Sequence, residues 1–392
     1  MATPSLAMIP SGYKASKVYS VLPESGVGDF DFTRATTATR INSSGLIETV
    51  ATNVPRLEYP LIDGVVNGCP SLLLEPQRTN SEIKSNGFST WGTNSNITKT
   101  ANYIVSPDGT SNGTRLQFTA NGFTANTPQS LATYTISCYA KRNDSGTQNV
   151  GFFTNGSGVV NSAWEITSEW KRFSYTFPAL NGSFMGIAGL SGADISVFGF
   201  QIEGLASYPT SYIPTNGSAV TRNAEVCDGA GNAATFNDSE GVLMAEISSF
   251  KGDNIDRQIS LSNGSTSNRI VIALLANGTQ IQFYVVSGGA VIVNQTKTID
   301  TITDSTKMTF SYKLNDFKVY VNGFLILTDT SGAVPIGLNE LAFDRGDGGE
   351  DYYGKTKQIQ YYNSALTDSE LEKLTSWTSF TDMAQAQQYS II

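Results

Sequence analysis

An acidic, glycine-rich stretch late in the chain contains side chains that could hold a metal ion. Positions 344 to 351 read Asp-Arg-Gly-Asp-Gly-Gly-Glu-Asp. Several carboxylates on a flexible loop suit a hard cation such as calcium, although the spacing is not that of an EF-hand loop. The predicted calcium ligands are Asp344, Asp347, Glu350 and Asp351. The alternatives are a solvated hairpin loop and catalysis by a carboxylate pair.

Aromatic side chains offer a second kind of chemistry, the recognition of sugars. Flat rings stack on sugar faces, while Asn, Asp and Gln side chains hydrogen-bond to hydroxyls. The sequence has 4 Trp and 17 Tyr within a composition rich in polar residues. The candidate glycan contacts are Trp91, which stands in a polar Thr/Asn stretch, Tyr139, and the adjacent pair Tyr352 and Tyr353. Packing in a core or within a strand is the alternative for each ring.

The chain contains no histidine, which excludes several classes of enzyme. Histidine is the usual general base near neutral pH and the commonest metal ligand, so Ser-His-Asp, Cys-His and His-ligated zinc mechanisms cannot operate here. Cys69, Cys138 and Cys227 are far apart and odd in number. We predict that they are buried free thiols and form no disulfide framework.

Two short motifs are spelled like catalytic loops but stand in the wrong context. Residues 349–356 match the P-loop pattern, yet residues 355–361 alternate like a strand and not like the helix that a phosphate-binding loop requires. Residues 109–113 match the nucleophile elbow, yet Ser111 has no histidine to take its proton. We therefore expect neither nucleotide binding nor serine hydrolase activity.

Charge and hydropathy restrict the partners. The formal net charge is −9, most of the acidic excess lies after residue 228, and no segment has a basic stripe. Nucleic acid is therefore not an expected partner. The longest apolar run, residues 270–276, is far shorter than the ~18 residues of a transmembrane helix, so we expect no membrane insertion. The first ten residues lack the basic start and continuous apolar core of a signal peptide, which predicts assembly in a cytoplasm.

The positioning elements are expected to be almost entirely β-strands. Residues 1–80 form short extended stretches between turns and read as an attachment or connecting region that packs on the next domain or on a partner subunit. Period-two alternation in residues 81–227, as at 131–140 and 170–177, predicts a first β-sandwich, with Asn-Gly turns at 155–156 and 181–182.

Residues 228–380 repeat this pattern. Strands are predicted at 242–247, 269–275, 280–286, 308–312 and 317–321. A capping box at Thr367 and Glu370, with Leu366 placed to contact Leu371, predicts one short helix. Residues 381–392 form a tail that docks or frays. The predicted fold class is all-β: two tandem β-sandwiches after an irregular N-terminal region, with one C-terminal helix.

Three long phrases resemble the sequences of bacteriophage virion proteins of the tail-fibre or head-fibre type. They are Phe-Asp-Phe-Thr-Arg-Ala-Thr-Thr-Ala-Thr-Arg-Ile-Asn-Ser-Ser-Gly-Leu-Ile-Glu at 30–48, Pro-Ser-Leu-Leu-Leu-Glu-Pro-Gln-Arg-Thr-Asn at 70–80, and Ser-Tyr-Ile-Pro-Thr-Asn-Gly-Ser-Ala-Val-Thr-Arg at 211–222.

Two further sets of phrases resemble carbohydrate-binding folds. Residues 134–141, 170–177 and 198–204 resemble a carbohydrate-binding-module jelly roll. Residues 317–323, 353–363 and 365–371 resemble the closing strands and helix of concanavalin A-like or laminin-G-like lectin domains, so that the second sandwich is expected to be concanavalin A-like.

These resemblances imply a non-enzymatic protein on the surface of a phage particle, assembled in the host cytoplasm. The implied partners are other virion proteins of the capsid or tail, a host-surface glycan, and further copies of the chain, with a trimer favoured. No cofactor is required, and calcium is the one candidate ion. The alternatives are a purely architectural decoration protein of the capsid or tail and a carboxylate-dependent glycan depolymerase.

Overall fold

The computed structural model describes residues 2–128, 133–146, 148–154, 158–160, 164–177, 184–250, 254–379 and 381–383. The strands are β1 Leu6–Met8, β2 Tyr13–Lys14, β3 Lys17–Val18, β4 Phe30–Thr33, β5 Ala38–Ile41, β6 Ile47–Val50, β7 Arg56–Glu58, β8 Leu61–Ile62, β9 Val65–Val66, β10 Ser71–Leu74, β11 Arg78–Asn80, β12 Thr93–Ile104, β13 Gly113–Pro128, β14 Tyr134–Arg142, β15 Val150–Thr154, β16 Gly158–Val160, β17 Lys171–Phe177, β18 Phe184–Gly189, β19 Asp194–Gly204, β20 Val220–Arg222, β21 Val226–Asp228, β22 Glu240–Ser249, β23 Arg257–Ser262, β24 Arg269–Leu274, β25 Gln280–Ser287, β26 Ala290–Thr298, β27 Thr306–Lys313, β28 Asp316–Val321, β29 Phe324–Asp329, β30 Glu340–Ala342 and β31 Gly354–Tyr362. A 3₁₀ turn covers Phe88–Thr90, and the helix α1 covers Asp368–Thr375.

The first sandwich is built from one branched antiparallel sheet. Its order is β16-β15-β18-β13-β19-β11-β20, with β12 beside β13 and the pair β14–β17 branching from β19. The long strand β13 pairs with β19 through residues 114–117 and with β18 through residues 122–125. It thereby carries the sheet from one layer to the other, and an aromatic core fills the space between the layers.

The second sandwich packs two sheets over the larger core. One sheet has the order β29-β28-β27-β22-β31-β10-β7, with β1 also paired to β31, and the other has the order β26-β25-β24-β23-β30. Leu6, Leu72 and Leu74 from the N-terminal strands are buried in the same core as Leu243 and Phe310. The N-terminal region therefore supplies strands β1, β7 and β10 to a sheet whose other strands lie between residues 240 and 362.

The structure confirms the all-β class and the two sandwiches. The predicted strands of the second sandwich correspond to β22, β24, β25, β27 and β28. Residues 354–362 form β31, so the P-loop spelling leads into a strand and not into a helix. Asn322 and Gly323 have φ values of 48° and 87° and join β28 to β29 as a tight hairpin turn. Three predicted features lie outside the described residues: the Asn-Gly pairs at 155–156 and 181–182, and the tail at 384–392. The domain boundaries remain a prediction.

The C-terminal helix begins at the predicted cap. The Thr367 side chain accepts a hydrogen bond from the Glu370 backbone N–H, and the Glu370 side chain accepts one from the Thr367 backbone. Leu366 and Leu371 share one buried cluster with Val242. No helix in the described ranges combines the length and apolar composition that a membrane crossing requires.

Thr367→Ala is expected to destabilise α1 by about 1 kcal/mol, because the Glu370 backbone N–H at the helix start loses its side-chain acceptor. Amide hydrogen exchange over residues 368–375 measures this loss. Exchange at the wild-type rate would contradict the capping account.

Candidate functional site

Five charged side chains, here called the buried ion cluster, lie where the N-terminal region meets both sandwiches. They are Arg34, Arg56, Glu75, Arg222 and Glu225, and all are at most 2% exposed. Glu225 Oε1 lies 2.7 Å from Nη1 of Arg34 and 2.8 Å from Nε of Arg56. Arg34, Glu75 and Arg222 come from the three phrases at 30–48, 70–80 and 211–222, so the structure joins those phrases through charge pairing.

Glu75 completes the buried ion cluster from the other side. Its Oε2 lies 2.8 Å from Nη1 of Arg56 and 2.7 Å from Nη1 of Arg222. Burial alone would raise the pKa of Glu75, but the two guanidinium charges and hydrogen bonds from Ser211 outweigh burial and hold the pKa below its usual range. Because these five side chains are buried and paired with one another, the cluster fastens the three regions together.

The loop predicted to bind calcium contains an arginine, Arg345, that pairs with two of its carboxylates. Arg345 donates to Asp347 Oδ2 at 3.0 Å and to Glu350 Oε1 at 2.9 Å. Its guanidinium lowers the pKa of Asp347, because the pair favours the ionised carboxylate. Two of the four proposed ligands are therefore already neutralised by an arginine of the same loop.

The other two carboxylates face elsewhere. Asp344 is buried and accepts a hydrogen bond from the Gly346 backbone N–H, while Asp351 accepts one from the Tyr353 hydroxyl at 3.0 Å. Among the described residues no group of three or more His, Cys, Asp or Glu side chains is arranged to hold a metal ion. The prediction of a shared calcium site at these four positions is wrong in its geometry.

Asp228, on β21, lies near several other carboxylates. Asp228 is cross-strand partner of Asp31, and burial, then Glu340, Asp344 and other acids, raise its pKa to about 6. A folded-state pKa above the unfolded value of about 4 means that the folded chain binds the proton more tightly. The stability contributed by this group is complete below about pH 4 and is lost as the pH rises through about 6.

Asp228→Asn is therefore expected to raise the melting temperature near pH 8 and to leave it unchanged near pH 4. Glu24→Gln, which removes one charge from an exposed position, serves as the control. Thermal melts of the three proteins at both pH values measure the effect. An equal shift at both values, or a lower melting temperature near pH 8, would contradict the assignment.

Three of the four predicted glycan contacts are buried. Trp91 is 1% exposed, packs 4.5 Å from the ring of Phe88 and donates its indole N–H to the Lys84 carbonyl at 3.1 Å. Tyr352 and Tyr353 are 0% and 8% exposed within the second core. The expectation that these rings face solvent is wrong, because each polar end finds a partner inside the fold.

The fourth, Tyr139, lines an open cavity of about 360 Å³, here called the Trp170 pocket. Its walls come from the β5–β6 turn, the β8–β9 hairpin, residues 104–107, the end of β14 and the residues before β17. The indole of Trp170 is held in place by a hydrogen bond that its Nε1 donates to the Val105 carbonyl at 3.1 Å. Burial raises the pKa of the Tyr139 hydroxyl, so this group stays neutral and can both donate and accept.

Charged groups flank the two rings of the Trp170 pocket. Lys141 Nζ lies 5.9 Å from the Trp170 ring centroid, and no hydrogen bond or ion pair within the described ranges engages it. Glu169 also lines the pocket and is exposed. Because Tyr139 pairs with Arg172 and Ala140 with Lys171, the same register sets Lys141 opposite Trp170. This register is the signal that would have brought Trp170 into the candidate list.

A larger cavity of about 1340 Å³, here called the cleft, lies between the two sandwiches. Its walls come from residues 58–71, β17, residues 207–209 and the strands β22, β27 and β31. The rings of Tyr208 and Phe250 stack at 5.0 Å and bridge the sandwiches. Cys138 and Cys227 are buried free thiols as predicted, but Cys69 is exposed in the loop before β10, where it lines the cleft.

Comparison with known proteins identifies no family. No protein-family model matches this sequence, and no curated protein matches it. Among solved structures, Ruminococcus gnavus IT-sialidase CBM40 bound to alpha2,3 sialyllactose is 17% identical, with 38% of this chain and 88% of that chain covered and a TM-score of 0.32. Leech intramolecular trans-sialidase is 16% identical over 37% of this chain and 24% of that chain, with a TM-score of 0.31. A prokaryotic beta-1,3-1,4-glucanase (lichenase) from a mouse hindgut metagenome is 13% identical over 41% and 77%, with a TM-score of 0.29. The all-β architecture thus stands on the strand pairing of this chain itself.

Proposed function

We propose that this chain is a non-enzymatic surface protein of a bacteriophage particle and binds a host glycan in the Trp170 pocket. The observation that carries the binding proposal is the pocket itself. It combines the rings of Trp170 and Tyr139 with the Lys141 ammonium, which lies over the Trp170 ring, a carboxylate and hydroxyl groups. Its volume falls at the lower end of the ~300–1,000 Å³ range of small-ligand sites, a size suited to one or two sugar rings.

The virion assignment is supported by the resemblance of the phrases at 30–48, 70–80 and 211–222 to phage fibre proteins. The non-enzymatic assignment is supported by the lack of histidine and by the pairing of Asp347 and Glu350 with Arg345. A homo-oligomer, with a trimer favoured, fits this role because linked copies of a weak sugar site gain avidity without new contacts.

The test is a glycan array probed with the purified chain, followed by calorimetric titration of each bound glycan. Trp170→Ala removes the ring and is expected to weaken binding at least about tenfold, or ~1.4 kcal/mol. Trp170→Phe keeps a flat ring and is expected to fall between the wild type and the alanine variant. Phe324→Ala is the control for the loss of an aromatic ring, because Phe324 is 73% exposed and lines neither cavity.

The outcomes separate the candidate functions. Binding by the wild type that Trp170→Ala loses, with an unchanged melting curve, supports the proposal. Wild-type affinity in Trp170→Ala would overturn the site, and no binding to any glycan would leave the architectural role. Release of reducing ends from a bound polysaccharide would establish a depolymerase instead.

A further inference from the structure

We infer that the Trp170 pocket and the cleft form one continuous binding surface for an extended, uncharged polysaccharide. The terminal sugar of the polysaccharide would occupy the Trp170 pocket, and its inner sugar residues would lie in the cleft. This inference rests on the proposed function and extends it from a sugar-sized site to a class of ligand.

The two cavities meet at the β8–β9 hairpin. Leu61 lines both of them, Gly64 lines only the Trp170 pocket, and Ile62 lines only the cleft. Leu61 and Ile62 are 38% and 48% exposed, so the hairpin between the cavities is solvent-accessible on its apolar side. A ligand can therefore pass over this short hairpin from one cavity to the other without displacing buried structure.

The sizes of the cavities differ in a way that favours a chain-like ligand. The cleft, at about 1340 Å³, exceeds the ~1,000 Å³ upper end of small-molecule sites, whereas the Trp170 pocket lies near the lower end. A ligand that fills both cavities must be extended, with one end small enough for the Trp170 pocket. A polysaccharide with one terminal residue and many inner residues has this shape.

The cleft offers unengaged polar groups and a ring to such a chain. The side chain of Asn67 is exposed, the Lys355 ammonium is half-buried, and the Tyr175 hydroxyl lies at a partly exposed ring. None of these three side-chain groups has a hydrogen-bond partner within the described ranges. Amide, ammonium and phenol groups beside an aromatic face are suited to sugar hydroxyls, which both donate and accept.

The cleft lining carries equal numbers of positive and negative side chains, which favours an uncharged glycan as the ligand. Lys357 pairs with Glu246 at 3.3 Å, and Lys307 lies 3.9 Å from Asp382. The remaining lysine and the remaining carboxylate of the lining are Lys355 and Glu58. Three cations thus face three anions, and a polyanionic glycan would meet as much repulsion as attraction.

The test measures affinity against chain length. The probes are α-glucan, β-glucan and α-mannan ladders from disaccharide to octasaccharide, with a hyaluronan ladder as the anionic counterpart, titrated into the full chain by calorimetry. We expect the dissociation constant of an uncharged ladder to fall about tenfold or more with length. The double variant Asn67→Ala/Lys355→Gln is expected to lose this gain while its affinity for the disaccharide stays unchanged.

Lys14→Gln, which changes an exposed lysine that lines neither cavity, is expected to retain the full length dependence. If the disaccharide binds but length adds nothing, or if the double variant keeps the gain, the cleft inference is overturned and the Trp170 pocket stands. A larger gain with hyaluronan would overturn the uncharged assignment. Absence of binding at every length and on the array would remove the proposed function as well.

Discussion

Arg56→Met is expected to lower the free energy of unfolding by about 3–5 kcal/mol. Arg56 is fully buried and contacts both carboxylates of the buried ion cluster, Glu75 and Glu225. Methionine fills part of the space but leaves two buried anions with fewer partners, and an uncompensated buried charge is more costly than a lost surface pair. Equilibrium unfolding in urea measures the loss.

The matched control is Lys313→Met, which breaks an exposed pair with Glu240 at 2.9 Å in the second sandwich. We expect it to change stability by at most about 1 kcal/mol, because water already solvates both groups. Equal, small losses in the two variants would show that the cluster contributes no more than a surface pair.

The buried ion cluster also predicts an acid limb in the stability profile. Because the pKa of Glu75 is held below its usual value, its contribution is complete above the unfolded pKa near 4.3 and is lost as the pH falls through the lowered folded value. We expect Arg56→Met to flatten this limb. An acid limb as steep as that of the wild type would contradict the pairing of Glu75 with arginine.

Residues 228–383 are expected not to fold when residues 1–227 are removed. Strand β31 pairs with β1 and β10, and the N-terminal leucines Leu6, Leu72 and Leu74 are buried in the second core. At about 1.5–3 kcal/mol of burial energy each, these three leucines contribute about 5–9 kcal/mol. Met8, Val18, Phe30 and Phe32 of the same core are lost with them, so the total loss is comparable with the about 5–15 kcal/mol by which a domain is stable. Circular dichroism and a cooperative melting transition report folding, and a cooperative transition in the isolated segment would contradict this expectation.

A point variant tests the same dependence in the intact chain. Leu72→Ala is expected to cost about 2–5 kcal/mol and to speed amide exchange in β22 and β24, far along the sequence. Leu314→Ala, at a position 60% exposed in the second sandwich, is expected to stay within about 0.5 kcal/mol. Exchange confined to residues near position 72 would indicate an independent N-terminal region.

Local patterns predicted the elements of this fold well. Alternating residues in β25 and β28, the turn at Asn322 and Gly323, and the cap at Thr367 act within a few residues of one another, so the sequence carries their geometry directly. The pairing of β1 with β31 joins positions more than three hundred residues apart. Neither periodicity nor turn chemistry specifies such a partner.

The site residues were harder to predict, because exposure depends on tertiary packing. Trp91 stands among polar residues, yet its ring enters the core, since its indole N–H reaches the Lys84 carbonyl. Trp170 stands at the start of an alternating segment, a pattern that predicts a buried ring. Pairing with β14 instead sets the ring beside Lys141 at an open pocket. Arg345 stands within the acidic loop of the sequence, but only the structure shows that its guanidinium pairs with Asp347 and Glu350.

The most direct test is a crystal structure of the chain with the oligosaccharide that binds it most tightly on the array. We predict a sugar ring stacked on the indole of Trp170, with its hydroxyls within hydrogen-bond distance of Tyr139 or Lys141. A sugar seated elsewhere on the chain, with the Trp170 pocket holding only solvent, would contradict the account.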